Sequence, residues 1–325
     1  MKELDLNNKV AVITGGTAGI GLAIAGIFYE HNCDVAIIGR ESKKGNDAVR
    51  EILKQNIERN FSAHSQAVIA DDSFCDVAGR NSGKGMLNPA MNMITGNETE
   101  TGKFDSAKTD KIPSIKNRMT FIKCDVGLRE DVKSACEKVL NDLKKVDILV
   151  LNAGMEFTEA ITEVDPENWQ RMLDVNVSGA FYFIRYLADS MIANKTGNII
   201  ILSSVAATTG AGGGIHYPVT KAALKGLMAR INYELLPKGI RANIISPGMV
   251  DTPMLRRKYP DNDEVNAKLC QQVPMGRIGA PGDIANLALF LASDLSSYIC
   301  GQDIIVDGGR LYYRRPPITP QKAQK

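Results

Sequence analysis

Tyr217 and Lys221 stand four residues apart in the stretch YPVTKAALKGLMARINYEL. On a helix that spacing places both side chains on one face. Pro218 fits such a helix in its first turn, where its missing N–H has no partner to lose. A phenol with a pKa of about 10 exchanges protons poorly at neutral pH unless a neighbouring cation stabilises its anion. Lys221 can supply that charge, lowering the pKa of Tyr217, and the pair then suits proton transfer to or from a carbonyl or alcohol oxygen. Alone, Tyr-x-x-x-Lys is equally an ordinary helix surface. Upstream, Ser203 and Ser204 follow the apolar run NIIIL. A hydroxyl at the carboxyl end of a parallel strand lies where open α/β sheets bind ligands, and could hydrogen-bond a substrate oxygen. The alternative is a serine pair capping the next turn.

Short β-branched runs alternate with longer helical patterns around these residues. Lys9–Thr14 (KVAVIT), Asp34–Ile38, Met119–Cys124, Ile148–Leu151, Asn198–Leu202, Arg241–Ile245 and Asp303–Val306 read as strands. Helices are expected over Ile20–Glu30, about Lys43–Gln55, and near 131–143, 166–192, 217–236 and 283–292. Alternation at this pace implies an α/β fold, a parallel sheet covered by helices on both faces. Runs as apolar as NIIIL and VAII suit strands buried on both sides.

Between the first strand and first helix lies TGGTAGIG, residues 14–21. Gly15, Gly19 and Gly21 let the chain turn tightly and let a pyrophosphate approach the backbone, while the helix start aims unpaired N–H groups at it. In the first strand–helix unit of an alternating chain, such a string marks a dinucleotide site. The end of the second strand meets the adenosine ribose, where a carboxylate would select NAD. Here Gly39 and Arg40 stand there, with no acid to repel a 2′-phosphate and a guanidinium to grip it. NADP(H) is therefore favoured, with NAD(H) possible if Arg40 merely stacks on adenine or faces solvent.

Composition narrows the remaining classes. The 325 residues are 44% hydrophobic and 23% charged, with a net charge of +2. That gives no electrostatic reason to expect nucleic acid or an anionic membrane as partner. The N-terminus has no basic segment followed by an apolar run, and no stretch is apolar enough to span a bilayer. The six cysteines form no CxxC pair, which fits a cytoplasmic, disulfide-free protein. From about residue 56 to 118 the rhythm breaks into Asn, Ser, Gly, Thr and Lys, with one possible strand at Gln66–Ala70. This reads as a mostly disordered surface insertion in a single domain spanning 1–325. His64, Asp71, Asp72, Cys75 and Asp76 within it match no metal-ligand spacing, and no metal site is expected. The Pro- and Lys-rich tail, 314–325, reads as loose.

TGGTAGIG at 14–21, LNAG at 151–154, VNVSG at 175–179, SSVAA at 203–207, YPVTK at 217–221 and SPGMVDT at 246–252 occur in order. Together they resemble the short-chain dehydrogenase/reductase family, and the C-terminal stretch GRIGAPGDIANLALFLASDLSSYICGQDIIVDGG resembles its 3-oxoacyl-carrier-protein reductase-like branch. The likeness covers the chain outside the insertion and the last dozen residues. It implies a Rossmann-type, doubly wound, seven-stranded parallel sheet and an oxidoreductase acting on CH–OH groups. It also implies a proton-relay tetrad of Asn176, Ser204, Tyr217 and Lys221, with Asn176 holding a water against Lys221. Ser204, rather than Ser203, matches by its distance to Tyr217. Cofactor contacts are implied for Gly15, Thr17, Gly19, Ile20, Gly21 and Arg40, and for Asp125 and Val126 at the adenine. Asn152, Ala153 and Gly154 would line the groove, Lys221 and Tyr217 would meet the nicotinamide ribose, and Pro247, Gly248, Val250 and Thr252 the carboxamide. Against the family pattern, Leu151 precedes the NAG and Thr220 stands where Ser is usual; neither removes a needed group.

The substrate is a small carbonyl or alcohol that the sequence does not name. Leu255–Val273 corresponds to the variable substrate loop, where Arg256, Arg257 and Lys258 could meet an acidic substrate but read by default as a solvated charge run. Met155, Phe157, Met249 and Met254 are expected to line the pocket or the core. His216 is expected at the surface or an interface, with a substrate hydrogen bond as the alternative. The family implies a homotetramer or homodimer built partly on the helices near 166–192 and 217–236. An NAD(H)-dependent alcohol or polyol dehydrogenase, an idle nucleotide sensor, and a binding protein working through the insertion are the alternatives. A complete tetrad argues against the sensor.

Overall fold

The computed structural model describes residues 4–69 and 117–312. Seven strands form one sheet: β1 Val10–Thr14, β2 Asp34–Gly39, β3 Met119–Lys123, β4 Ile148–Leu151, β5 Gly197–Leu202, β6 Ile240–Pro247 and β7 Asp303–Val306. Their order is β3-β2-β1-β4-β5-β6-β7. Every pairing is parallel, Val12 lying opposite Ala36 on one side and Leu149 on the other. This is the expected doubly wound Rossmann-type sheet. The chain winds outward in opposite directions from β1 and β4, which opens a crevice at their carboxyl ends.

The helices are α1 Gly19–Glu30, α2 Ser42–Ile69, α3 Arg129–Leu143, α4 Pro166–Leu173, α5 Gly179–Ala193, α6 Ala206–Thr209, α7 His216–Leu235, α8 Pro253–Arg256, α9 Asp263–Cys270 and α10 Pro281–Ala292. Alternation along β1 divides the core in two. Val10 and Val12 pack with Val132 and Val139 of α3, Phe183 and Leu187 of α5, and Leu224 and Met228 of α7. Ala11 and Ile13 pack with Ile24 and Phe28 of α1, Ile52 of α2, and Ile284 and Leu291 of α10. Both faces of the central strands are thus buried, as their unbroken apolar runs require.

Two departures from the sequence reading concern helices. The stretch expected as one helix over 166–192 is interrupted by a π turn at Asp174–Ser178 that carries Asn176. Such bulges insert one residue into a helix and re-aim the side chains around it. In addition, α2 runs beyond Gln55 to Ile69, so residues 66–69 are helical rather than a strand. Residues 56–69 hold no Gly or Pro, so nothing local stops the helix, and a β-branched pair is too weak a preference to do so. The side chain of His64, residues 71–76 and the tail 314–325 lie outside the described residues. Among the described residues no cluster of His, Cys, Asp or Glu is placed to hold a metal ion, and no helix is long and apolar enough to cross a membrane. Cys33, Cys124 and Cys136 are buried free thiols.

Candidate active site

A cleft of about 600 Å³ opens at the carboxyl ends of β1, β4, β5 and β6. Its first half is backbone. Gly15 and Gly19 adopt φ of +65° and +55°, the left-handed region that favours glycine. A Cβ on Gly21 would stand 2.3 Å from the Gly15 carbonyl oxygen and 2.5 Å from Asn152 Nδ2, so the turn closes only without one. The Asn152 amide donates to the carbonyls of Thr14 (3.0 Å) and Gly15 (3.2 Å). Thr14 Oγ1 in turn accepts from the N–H groups of Asn152 and Ala153, both at 3.0 Å. The ends of β1 and β4 are thereby locked side by side. Helix α1 begins at Gly19 with no side-chain cap at Ala18 and no acid in its first turn. Its free N–H groups and positive end are open to an anion. These residues fit a dinucleotide's pyrophosphate.

The second half carries side chains with chemistry. Tyr217, Lys221 and Ser204 all line the cleft. Ser204 hydrogen-bonds the Tyr217 phenol and also accepts from Ala206 N–H at 3.1 Å, so it serves both as cleft hydroxyl and as cap. Ser203 is buried and donates to the Lys221 carbonyl (2.9 Å), tying β5 to α7. Lys221 is buried; its Nζ donates to the Leu202 carbonyl at 2.8 Å and lies 5.8 Å from the centre of the Tyr217 ring. Asn176 is 2% exposed and fully engaged. Its Oδ1 accepts from Met155 N–H (2.8 Å), and its Nδ2 donates to the Met155 carbonyl and to Thr220 Oγ1, both at 3.0 Å. Thr220 Oγ1 donates to the Tyr217 carbonyl at 2.8 Å. Asn176 and Lys221 meet across Gly154: a Cβ there would stand 3.4 Å from Asn176 Oδ1 and 3.3 Å from Lys221 Nζ.

Burial dominates the proton affinities here. It pushes the Tyr217 phenol up to about 12; the Ser204 hydrogen bond opposes this and the Glu156 carboxylate adds to it. It draws the Lys221 ammonium down to about 8, against the pull of Glu156. Desolvation is the largest influence on both groups, and the Lys221 ammonium donates to the Leu202 carbonyl at 2.8 Å. At neutral pH both groups hold their protons.

The structure gathers most predicted site residues and leaves some apart. Gly15, Gly19, Ile20, Asn152, Ala153, Gly154, Pro247, Gly248, Val250 and Thr252 line the cleft with Ser204, Tyr217 and Lys221. Thr17, Gly21, Arg40, Asp125, Val126 and Asn176 are not in its lining. Thr17 backs Gly39, whose Cβ would stand 2.7 Å from Thr17 Cγ2. Arg40 is exposed directly after β2. Asp125 is bound to Arg171 Nη2 at 2.6 Å and accepts from Gly127 N–H at 3.0 Å. Val126 is buried in the core beneath.

Two expectations are corrected. His216 is fully buried rather than at the surface: its ring stacks on Phe157 with centroids 5.8 Å apart, and Nε2 meets Glu159 Oε2 at 3.2 Å. Met249 and Met254 line the cleft and Met155 packs against the core, both within the expectation of pocket or core, while Phe157 stacks on His216. The run Arg256–Lys258 does not stay a solvated stripe. Arg256 grips Asp251 through Nε (2.7 Å) and Nη2 (2.9 Å), Lys258 pairs with Glu156, and Arg257 is left exposed at the cleft rim. Sequence reading missed Glu156, Thr14 and Asp307. An acid two residues beyond the strand-end Asn-Ala-Gly was a usable signal for Glu156. Asp307 caps the N–H groups of Gly309 (2.8 Å) and Leu311 (2.6 Å), which only the fold reveals.

Comparison with known proteins agrees with this geometry. The family model described as Enoyl-(Acyl carrier protein) reductase matches residues 99–310, and the short chain dehydrogenase model matches residues 9–81. The 3-oxoacyl-[acyl-carrier-protein] reductase FabG of Chlamydia pneumoniae is 29% identical over 95% of this chain and 100% of its own. That of Buchnera aphidicola subsp. Baizongia pistaciae is 34% identical over 71% of this chain and 94% of its own. Among solved structures, a short-chain type dehydrogenase/reductase from Mycobacterium ulcerans shares the fold with a TM-score of 0.73 at 24% identity, over 95% of this chain and 92% of that one. L-sorbose reductase from Gluconobacter frateurii, complexed with NADPH and L-sorbose, gives a TM-score of 0.73 at 26% identity, over 96% of this chain and 99% of that one. The chain belongs to the short-chain dehydrogenase/reductase family and is an NAD(P)-dependent oxidoreductase of carbonyl and alcohol groups.

Proposed function

We propose that this chain is an NADP(H)-preferring reductase that converts a carbonyl to a secondary alcohol, with Tyr217 as the proton donor. The observation that carries the reading is the convergence of Tyr217, Ser204 and Lys221 on one cleft continuous with the glycine turn. Bound along that turn, the nicotinamide cofactor supplies the hydride for the substrate carbon. Tyr217 gives its phenolic proton to the substrate oxygen, and Ser204 orients the phenol through their hydrogen bond. A phenol, protonated at neutral pH, suits this direction, because a carbonyl oxygen must gain a proton. Lys221 places a positive charge beside the oxygens during transfer, and Asn176 fixes the backbone at Met155, next to the Gly154 that faces Lys221.

Arg40 and the missing acid at Gly39 favour the 2′-phosphate form of the cofactor, and the contact between Gly39 and Thr17 leaves little space for any side chain there. Asp125 and Val126 would act at the adenine from the loop after β3, and Pro247, Gly248, Val250 and Thr252 at the carboxamide. A 3-oxoacyl thioester is one substrate class supported by the FabG relatives. The solved L-sorbose reductase supports a hydroxylated ketone as a second. Exposed Phe181 on α5 and Val219 and Tyr233 on α7 support assembly as a homodimer or homotetramer through those helices. The test is a panel of ketones and β-ketoacyl thioesters assayed for oxidation of NADPH and NADH. Turnover with NADPH favoured is expected; no turnover with either cofactor would overturn the reading.

A further inference from the structure

Glu156 and Lys258 meet across the cleft. Glu156 follows Gly154 by two residues, and Gly154 is the backbone against which Lys221 Nζ rests. Lys258 comes from the other wall, two residues beyond the end of α8. They form an ion pair in which the lysine side chain is 26% exposed and the glutamate 13%. Both line the same cleft as Tyr217 and Ser204. The carboxylate is close enough to Tyr217 and Lys221 to raise the proton affinity of each.

From this placement we infer that Glu156 and Lys258 read a hydroxyl group next to the reacting carbon, so that the substrate is a hydroxylated ketone or the corresponding vicinal diol. This rests on the proposed carbonyl–alcohol chemistry at Tyr217. A hydroxyl both donates and accepts, so it bonds the carboxylate and the ammonium together without separating them. An aliphatic chain laid against the pair strips water from two charges and returns no hydrogen bond, which disfavours it. A substrate carboxylate would compete with Glu156 for Lys258. The sequence-level charge run thus splits by role: Arg256 holds Asp251, and Lys258 serves the cleft.

The test compares kcat/KM for 1-hydroxy-2-butanone and 2-butanone, each with NADPH and with NADH. The ratio between the two ketones is measured in the wild type, Glu156→Gln, Glu156→Leu and Lys258→Met. Intrinsic reactivity differences between the ketones cancel when ratios are compared across variants. The hydroxyl preference is expected to fall at least about tenfold in Glu156→Leu, the scale of a lost charge-assisted hydrogen bond, and less in Glu156→Gln. Lys258→Met, at the more exposed partner, is expected to lower it as well and serves if the Glu156 variants fail to fold. Turnover of both ketones with the same ratio in wild type and variants would overturn the hydroxyl reading alone. A wild type that reduces β-ketoacyl thioesters but neither of these ketones would overturn the hydroxyl reading alone, whereas no turnover across the whole ketone and thioester panel would overturn the carbonyl chemistry and this inference with it.

Discussion

The hydroxyl of Thr220 joins two parts of the site, and its removal has a predictable cost. It accepts from Asn176 Nδ2 at 3.0 Å and donates to the Tyr217 carbonyl at 2.8 Å. Both side chains are buried, Thr220 at 1% and Asn176 at 2% exposure. Thr220→Val keeps the shape but replaces the hydroxyl by a methyl, leaving one Asn176 N–H without a partner in a dry site. That costs about 1–3 kcal/mol. Thr220→Ser keeps both hydrogen bonds and loses only a buried methyl, about 1 kcal/mol. Urea unfolding of the two variants should therefore rank serine above valine in stability, and kcat should fall further in the valine variant because Asn176 and the start of α7 are no longer tied. If valine proves as stable as serine, packing rather than hydrogen bonding holds this junction, and the reasoning fails.

Other expectations follow from the same geometry. Burial lowers Lys221 from 10.5 to about 8. Between those values the unfolded chain binds a proton that the folded chain has released, so stability attributable to this residue rises with pH. The wild type should accordingly gain on Lys221→Met in denaturant midpoint between pH 8 and pH 10; a constant gap would show that no charge is buried there. Tyr217 acts oppositely, its raised value making stability fall as pH climbs from 10 to about 12. Arg40→Ser should raise KM for NADPH at least about tenfold, the loss of a charge-assisted phosphate contact, while changing that for NADH about twofold or less. Equal shifts for the two cofactors would remove Arg40 from the 2′-phosphate site.

What was legible in the sequence was whatever a short run of backbone decides. Gly15, Gly19 and Gly21 announce a turn that tolerates no Cβ, and the geometry at Gly21 bears that out. The family resemblance, not the residues alone, favoured Ser204 over Ser203, and the structure sets Ser204 beside the phenol and Ser203 on the Lys221 backbone. Contacts between distant residues were not legible. His216 finds Glu159 from 57 positions away, and its polar ring gave no hint of a buried partner. The local charge run at Arg256–Lys258 concealed that one member crosses to Glu156. The π turn at Asp174–Ser178 goes with hydrogen bonds from Asn176 to Met155 and Thr220, partners 21 and 44 positions away that a local reading does not reveal. The range expected for α2 ended at Gln55, where the composition turns polar, but no Gly or Pro stops the helix before Ile69.

The most direct test of the central claim is Tyr217→Phe, which deletes the phenolic oxygen and keeps the ring. Single-turnover reduction of a competent ketone with NADPH should slow by at least about a hundredfold, the scale of a general acid. Cofactor binding by fluorescence titration and the thermal melting point should stay close to wild type. A Phe variant that reduces the ketone at more than about a tenth of the wild-type rate would contradict the assignment of proton donation to Tyr217.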